Sequence, residues 1–215
     1  MAPRVGILPE EERLAIFRGA KQLGLNPYEF GAFLSLESGP NMDPNIVGGA
    51  GGRHKGLIQF GQNEQKTYGI TGPQTRADQI PKVLQYFQDR GYKPGMGIDR
   101  AYATVLGGNP NVSLTSQDAF GTSVQGVLPR FRKGGDLYAN AQRVLGDAPS
   151  NLAAPASQQP LTPPPPVSSV LAPILGSNLG RSEQKKSLSQ LFVQKALNSV
   201  LPALGTLPTF FGTIQ

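Results

Sequence analysis

Residues 30–61 read FGAFLSLESGPNMDPNIVGGAGGRHKGLIQFG. An apolar run ends at Glu37-Ser38-Gly39-Pro40, a Gly-rich stretch follows, and Gly56-Leu57-Ile58-Gln59-Phe60-Gly61 closes the segment. Asn26-Pro27 supplies an N-cap and a first-turn proline, so a helix is expected from there to about Ser38. Within it Phe30, Phe33, Leu34 and Glu37 stand at i, i+3, i+4 and i+7 and share one face. Glu37 is thereby expected to point toward the core at the C-terminal end of the helix. Desolvation and the negative end of the helix dipole both push the pKa of such a carboxyl up. A carboxyl that keeps its proton near neutrality suits general-acid cleavage of a glycosidic bond. A last-turn glutamate curling into solvent is the ordinary alternative for Glu37 taken alone.

Outward from this segment the pattern is helical. Pro9 followed by Glu10, Glu11 and Glu12 starts a helix that Gly24 stops. Short helices are expected over 63–69 and 77–90. A further helix is capped by Asp99 and has Tyr102, Val105 and Leu106 on its apolar side. Weaker signals cover 115–127 and 136–145. Of the fifteen residues 42–56, eight are Gly, Pro, Asn or Asp, so this stretch reads as loop, with a small β-hairpin inside 45–61 left open. The fold class is therefore mainly α.

Composition narrows the chemistry. The chain has 215 residues, no Cys and one His. Thiol nucleophiles, thiolate zinc sites and a multi-histidine metal site are excluded, and neither metal nor cofactor is expected. His54 lies between Gly52-Arg53 and Lys55-Gly56 and reads as a solvated loop histidine. Phe60 reads as a packing residue before a sugar-stacking one. The net charge of +6 divides evenly, with 16 basic and 13 acidic residues before 148 and four basic and one acidic after it. The basic residues are scattered, which speaks against specific nucleic-acid binding and suits a polyanionic partner such as a cell wall. No segment has the roughly 18 apolar residues of a membrane span. The N-terminal stretch carries no secretory-signal pattern.

Three regions follow. Residues 1–147 form the helical domain. Residues 148–180 hold no charge and eight prolines, and read as a semi-rigid linker or as disordered chain. Residues 181–215 hold an amphipathic helix over 183–201 and an apolar tail with Leu207-Pro208-Thr209-Phe210-Phe211, expected to dock on a partner surface.

The pairing of Glu37-Ser38-Gly39 with Gly56-Leu57-Ile58-Gln59 resembles the soluble-lytic-transglycosylase branch of the lysozyme-like superfamily. Residues 41–48 (NMDPNIVG) resemble the loop between its motifs, with Ile46 in place of a small residue. Ala77-Asp78-Gln79-Ile80 and the following Val83-Leu84-Gln85-Tyr86-Phe87 resemble the helix that bacteriophage members carry next. Ala101-Tyr102-Ala103 resembles the third motif, in which the commonest form has Asn where Ala103 stands. The resemblance covers about residues 12–110. It implies a lysozyme-like domain in which Glu37 is the sole catalytic acid/base and Ser38 supports it by hydrogen bonding. It also implies that Gln59 lines the glycan cleft, that the backbone of Gly56, Leu57 and Ile58 contacts sugar, and that Tyr102 reaches toward Glu37.

With one motif-supported acid, against the two of an ordinary glycosidase, the expected reaction is lytic-transglycosylase cleavage of the MurNAc–GlcNAc β-1,4 bond in peptidoglycan. Muramidase hydrolysis by the same Glu37 is the other outcome. The setting so implied is a phage virion protein acting in the host envelope (periplasm), joined to other tail or core proteins through residues 148–215. An inactive lysozyme-like structural protein of the virion is the alternative.

Overall fold

The computed structural model describes residues 6–49, 51–117 and 121–152. The expected linker beyond residue 152, the amphipathic helix 183–201 and the apolar tail lie outside the described residues. Seven helices and one two-stranded hairpin are present among them. They are α1 (Glu10–Leu23), α2 (Pro27–Ser38), β1 (Val47–Gly48), β2 (His54–Lys55), α3 (Gln62–Tyr68), α4 (Arg76–Asp89), α5 (Ile98–Gly107), α6 (Val124–Phe131) and α7 (Asp136–Leu145). The mainly helical class is as expected, and the hairpin left open within 45–61 is present. No helix among the described residues is long and apolar enough to cross a membrane.

Local chemistry sets most boundaries. In α1 three acids occupy the first turn, and Gly24 closes the last with φ 67°, its N–H reaching the carbonyls of Ala20 and Lys21. At the start of α2 the Asn26 Oδ1 accepts from the Tyr28 N–H at 2.9 Å, ahead of Pro27 in the first turn. α4 starts at Arg76 because Thr75 and Asp78 form a reciprocal capping box.

Two expectations need correction. Asp99 does not cap α5; Gly97 does, and Asp99 lies in the first turn, where a carboxylate still meets the positive helix end. The helix expected over 115–127 is instead α6, displaced toward the C-terminus. Ser123 caps it by accepting from the Gly126 N–H at 3.1 Å, and Val124, Val127 and Phe131 form its buried stripe. Upstream, the Ser113 hydroxyl accepts from the Thr115 N–H, and a Gln117–Ser123 bridge closes the turn. Such local side-chain bonds compete with helix formation.

The core is organised around α2. Every residue from Phe30 to Ser38 is buried, so α2 is not an amphipathic surface helix with one inward face. It is enclosed by α1, α5, α6 and α7, while α4 packs on α1. Phe33 is the aromatic centre, meeting Phe30, Phe87, Tyr102 and Phe131 with ring centroids 5.9–6.4 Å apart. Gly31 allows α7 to come close: a Cβ there would lie 2.8 Å from Leu145 Cδ1 and 3.1 Å from Ala141 Cβ.

The chain past α7 stays on the body. Arg13 donates to the carbonyls of Leu145 and Asp147, and the Tyr28 hydroxyl donates to Gly146 O at 3.0 Å. Arg18 reaches the Asn151 carbonyl, and Leu152 packs partly buried against the core. The body thus continues past residue 147.

Candidate active site

Glu37 occupies the last turn of α2 and is 2% exposed. Among the described residues it is the only acidic side chain buried in the core. A buried carboxyl is costly unless it is paired or hydrogen-bonded, and buried titratable groups recur at functional sites. The helix ends one residue later at Ser38, and its C-cap Gly39 has φ 82° and ψ 172°, a backbone conformation favourable only for glycine.

Ser38 is 1% exposed, and its hydroxyl donates to the Leu34 carbonyl at 2.7 Å. Its single proton is spent on the helix backbone, so Ser38 does not donate to Glu37, and its Oγ lone pairs remain as acceptors. Tyr102, on α5, is fully buried. Its ring meets Phe33 edge-on at 5.9 Å and Phe131 at 5.3 Å. It therefore stands against α2 one helical turn before Glu37. Near it on α6, Arg130 is held above its ordinary pKa, first by its hydrogen bond to Asp136.

Gly56, Leu57, Ile58 and Gln59 are all buried, as is Phe60, which packs against Tyr68 and Tyr86. Phe60 is thus a packing residue. The turn is held by the Gln59 N–H donating to the Gly56 carbonyl at 3.1 Å, with Lys55 and Phe60 exchanging backbone bonds across it. Gln59 has φ 54°, one of two described non-glycine residues with positive φ; the other is Met42, with φ 50°, in the turn after α2. Such conformations cost free energy and tend to persist where the surroundings over-determine them. The Gln59 Nε2 donates to Gly56 O at 3.0 Å, and its buried Oε1 has no hydrogen-bond partner among the described residues.

The two motif segments are joined by side chains the sequence reading did not single out. Gln79, on α4, is fully buried. Its Oε1 accepts from the Leu57 N–H at 3.0 Å, and its Nε2 donates to the Pro44 carbonyl at 2.6 Å. Arg76 donates to the Asn41 carbonyl and pairs with Glu12. The Asn45 side chain and the Gln74 backbone exchange two bonds, at 2.8 and 2.9 Å. The N-terminal end of α4 is thus a bracket for residues 41–45, which leave α2 through the Asp43 N–H to Ser38 O bond of 3.0 Å. Gly56 is required at its place: φ is 86°, and a Cβ would lie 2.5 Å from Gln79 Oε1. The available signal was an amide on an apolar stripe, since Gln79, Val83 and Tyr86 are spaced i, i+4, i+7. Asn140 on α7, for which the sequence offered no signal, donates to Ser35 Oγ at 3.1 Å and to Pro40 O at 2.8 Å.

His54 departs from expectation. It lies half-buried in β2, opposite Gly48, and its ring covers Gly49 so closely that a Cβ there would lie 2.0 Å from Nδ1. Hairpin pairing draws it inward, so it is not a solvated loop histidine. No group of His, Asp and Glu suited to a metal ion occurs among the described residues. Comparison with protein-family models, curated proteins and solved structures returns no match.

Proposed function

We propose that the chain cleaves the β-1,4 bond between N-acetylmuramic acid and N-acetylglucosamine in peptidoglycan, with Glu37 as its single acid/base. The observation that carries the reading is the single buried carboxyl at the end of α2, with the loop that follows it tied at Pro44 through Gln79 of α4 to Leu57 in the Gly56–Gln59 turn. Glu37 in its acid form gives its proton to the glycosidic oxygen as that bond breaks. The substrate's own acetamido group stabilises the developing cation. Glu37, now a carboxylate, accepts the proton of the muramic O6 hydroxyl, and O6 closes on C1 to give a 1,6-anhydro product. Water attacking in place of O6 gives hydrolysis with the same proton balance. Only one positioned acid is required, which matches the single buried carboxyl among the described residues. Tyr102 is assigned to orient Glu37, and Gln59 to contact the glycan.

The resemblance in residues 12–110 supports reading the chain as a phage virion protein acting on the host cell wall, with residues 148–215 proposed as its attachment to tail or core proteins. A second reading keeps the fold as an inactive structural part of the virion. Its supporting observations are Ala103 where the related motif commonly has Asn, and the low exposure of Glu37 and Gln59, 2% each. Digestion of purified cell walls by the wild type and by Glu37→Gln, with mass analysis of the fragments, decides between them. The expected result is anhydro-ended fragments from the wild type and a loss of about 10²-fold or more in the variant. Equal clearing by both proteins removes Glu37 from the chemistry, and no clearing by either supports the structural reading.

A further inference from the structure

We infer that Gln79 is the positioning residue of this site: its one side chain locks the loop leaving α2 to the Gly56–Gln59 turn. The inference rests on the lytic reading for its catalytic consequence, and on hydrogen bonds for its structural one.

Gln79 is fully buried on the apolar stripe of α4, where an amide with an unused donor or acceptor costs free energy. Both ends of the amide are used. The carbonyl takes the Leu57 N–H at 3.0 Å and the amino group meets the Pro44 carbonyl at 2.6 Å. These partners belong to two separate excursions of the chain, and β1 and β2 lie between them. The backbone adds one further tie, from the Gly56 N–H to Ile46 O at 3.0 Å.

The amide cannot be replaced by shape alone. An aliphatic side chain of the same length leaves the Leu57 donor and the Pro44 acceptor unpaired in a dry interior. The adjacent Gly56 has been fitted to the amide, since any Cβ there would overlap Oε1. Two residues beyond Leu57, Gln59 holds its strained φ of 54°. A strained residue keeps its conformation only while its surroundings are fixed, and Gln79 fixes the start of this turn through the Leu57 N–H. Gln79 therefore acts on the reaction through Gln59 and the turn, without touching substrate.

The test compares Gln79→Met and Gln79→Glu with wild type. One readout is amide hydrogen exchange at Leu57, with the Leu8 amide, which donates to Val144 O at 2.9 Å far along the chain, as an internal control. The other is kcat/KM on purified peptidoglycan. In Gln79→Met, Leu57 exchange is expected to accelerate about tenfold, the factor for one lost buried hydrogen bond, with Leu8 unchanged and kcat/KM down by a similar factor. In Gln79→Glu the acceptor for Leu57 remains, so Leu57 stays protected. With the introduced carboxyl ionised, no proton is left for the Pro44 carbonyl, that tie is lost and kcat/KM falls between wild type and Gln79→Met; with it protonated, the O–H restores the tie and kcat/KM stays near wild type. Unchanged Leu57 exchange in Gln79→Met overturns the lock, and accelerated exchange with wild-type kcat/KM overturns the positioning role. If Gln79→Met does not fold, wild-type kcat/KM in Gln79→Glu with the introduced carboxyl ionised overturns that role equally. A wild-type chain that cleaves no wall defeats the lytic reading and the positioning role with it; exchange at Leu57 then decides the lock by itself.

Discussion

The Tyr102 and Phe33 rings meet edge to face, with centroids 5.9 Å apart and planes at 65°. This contact brings α5 against α2 one turn ahead of Glu37 and leaves the Tyr102 hydroxyl in the interior. Removing that hydroxyl alone separates packing from chemistry. Tyr102→Phe keeps the ring contacts with Phe33 and Phe131, so its melting temperature should lie within a few degrees of wild type. Cleavage of peptidoglycan should fall about tenfold or more if the hydroxyl orients Glu37. Wild-type turnover in a folded Tyr102→Phe protein would leave Tyr102 as a packing residue only.

Gly31 offers a test of the α2–α7 contact in which the sign of the effect is informative. Replacing Gly by Ala in a helix interior ordinarily stabilises by about 1 kcal/mol. Here the new methyl would lie 2.8 Å from Leu145 Cδ1, 3.1 Å from Ala141 Cβ and 3.2 Å from Met42 Cε. Overpacking of this kind costs about 1–3 kcal/mol. Gly31→Ala should therefore be net destabilising in urea unfolding, whereas a gain in stability would mean that α7 is not seated against α2 at this distance.

Asp78 gives a pH-dependent prediction. Hydrogen bonds from the Thr75 backbone N–H and then the Thr75 hydroxyl hold its carboxyl below the usual aspartate range. A depressed folded-state value favours the fold while the group is ionised. Its contribution is present above the ordinary aspartate value and is lost as pH falls through the folded one. Asp136, lowered mainly by its hydrogen bond with Arg130, acts in the same direction, so the comparison has to be with a variant. Asp78→Ala should melt below wild type at neutral pH, and the gap should close on acidification. A gap independent of pH would show that the loss does not come from the ionised Asp78 carboxylate, since Ala is itself the better helix former.

The C-terminal limit of the folded body can be set by truncation. A chain ending at Leu152 keeps Arg13 on Leu145 and Asp147, Arg18 on Asn151, and the Leu152 contact with the core. It should unfold cooperatively and cleave walls like the full chain, while failing to enter particles if residues beyond 152 are the attachment. A chain ending at residue 135 lacks α7, uncovers Gly31 and Ser35 on α2, and should not fold. A soluble, cooperative 1–135 fragment would show that the core closes without α7.

The sequence by itself determined what depends on neighbours along the chain. The bounds of α1, α2 and α7, the loop over 42–56, and the carboxyl at a helix end follow from caps, prolines, glycines and periodicity. Each of these acts within a turn or two. Tertiary structure decided whatever needs a second segment. Enclosure of α2 on all sides comes from α1, α5, α6 and α7 together, so no periodicity within α2 could announce it. The displacement of α6 follows from Ser123 capping a stripe that has to meet α2. His54 turned inward because β1 pairs with β2, and Ser38 spent its proton on Leu34. Glu37 was legible as a candidate because its spacing and its motif are local. Gln79 was quoted only as part of a helix, because the groups it satisfies, Leu57 N–H and Pro44 C=O, reach it only when the chain folds back. A buried amide earns its place through partners distant in sequence, and those partners are chosen by the fold.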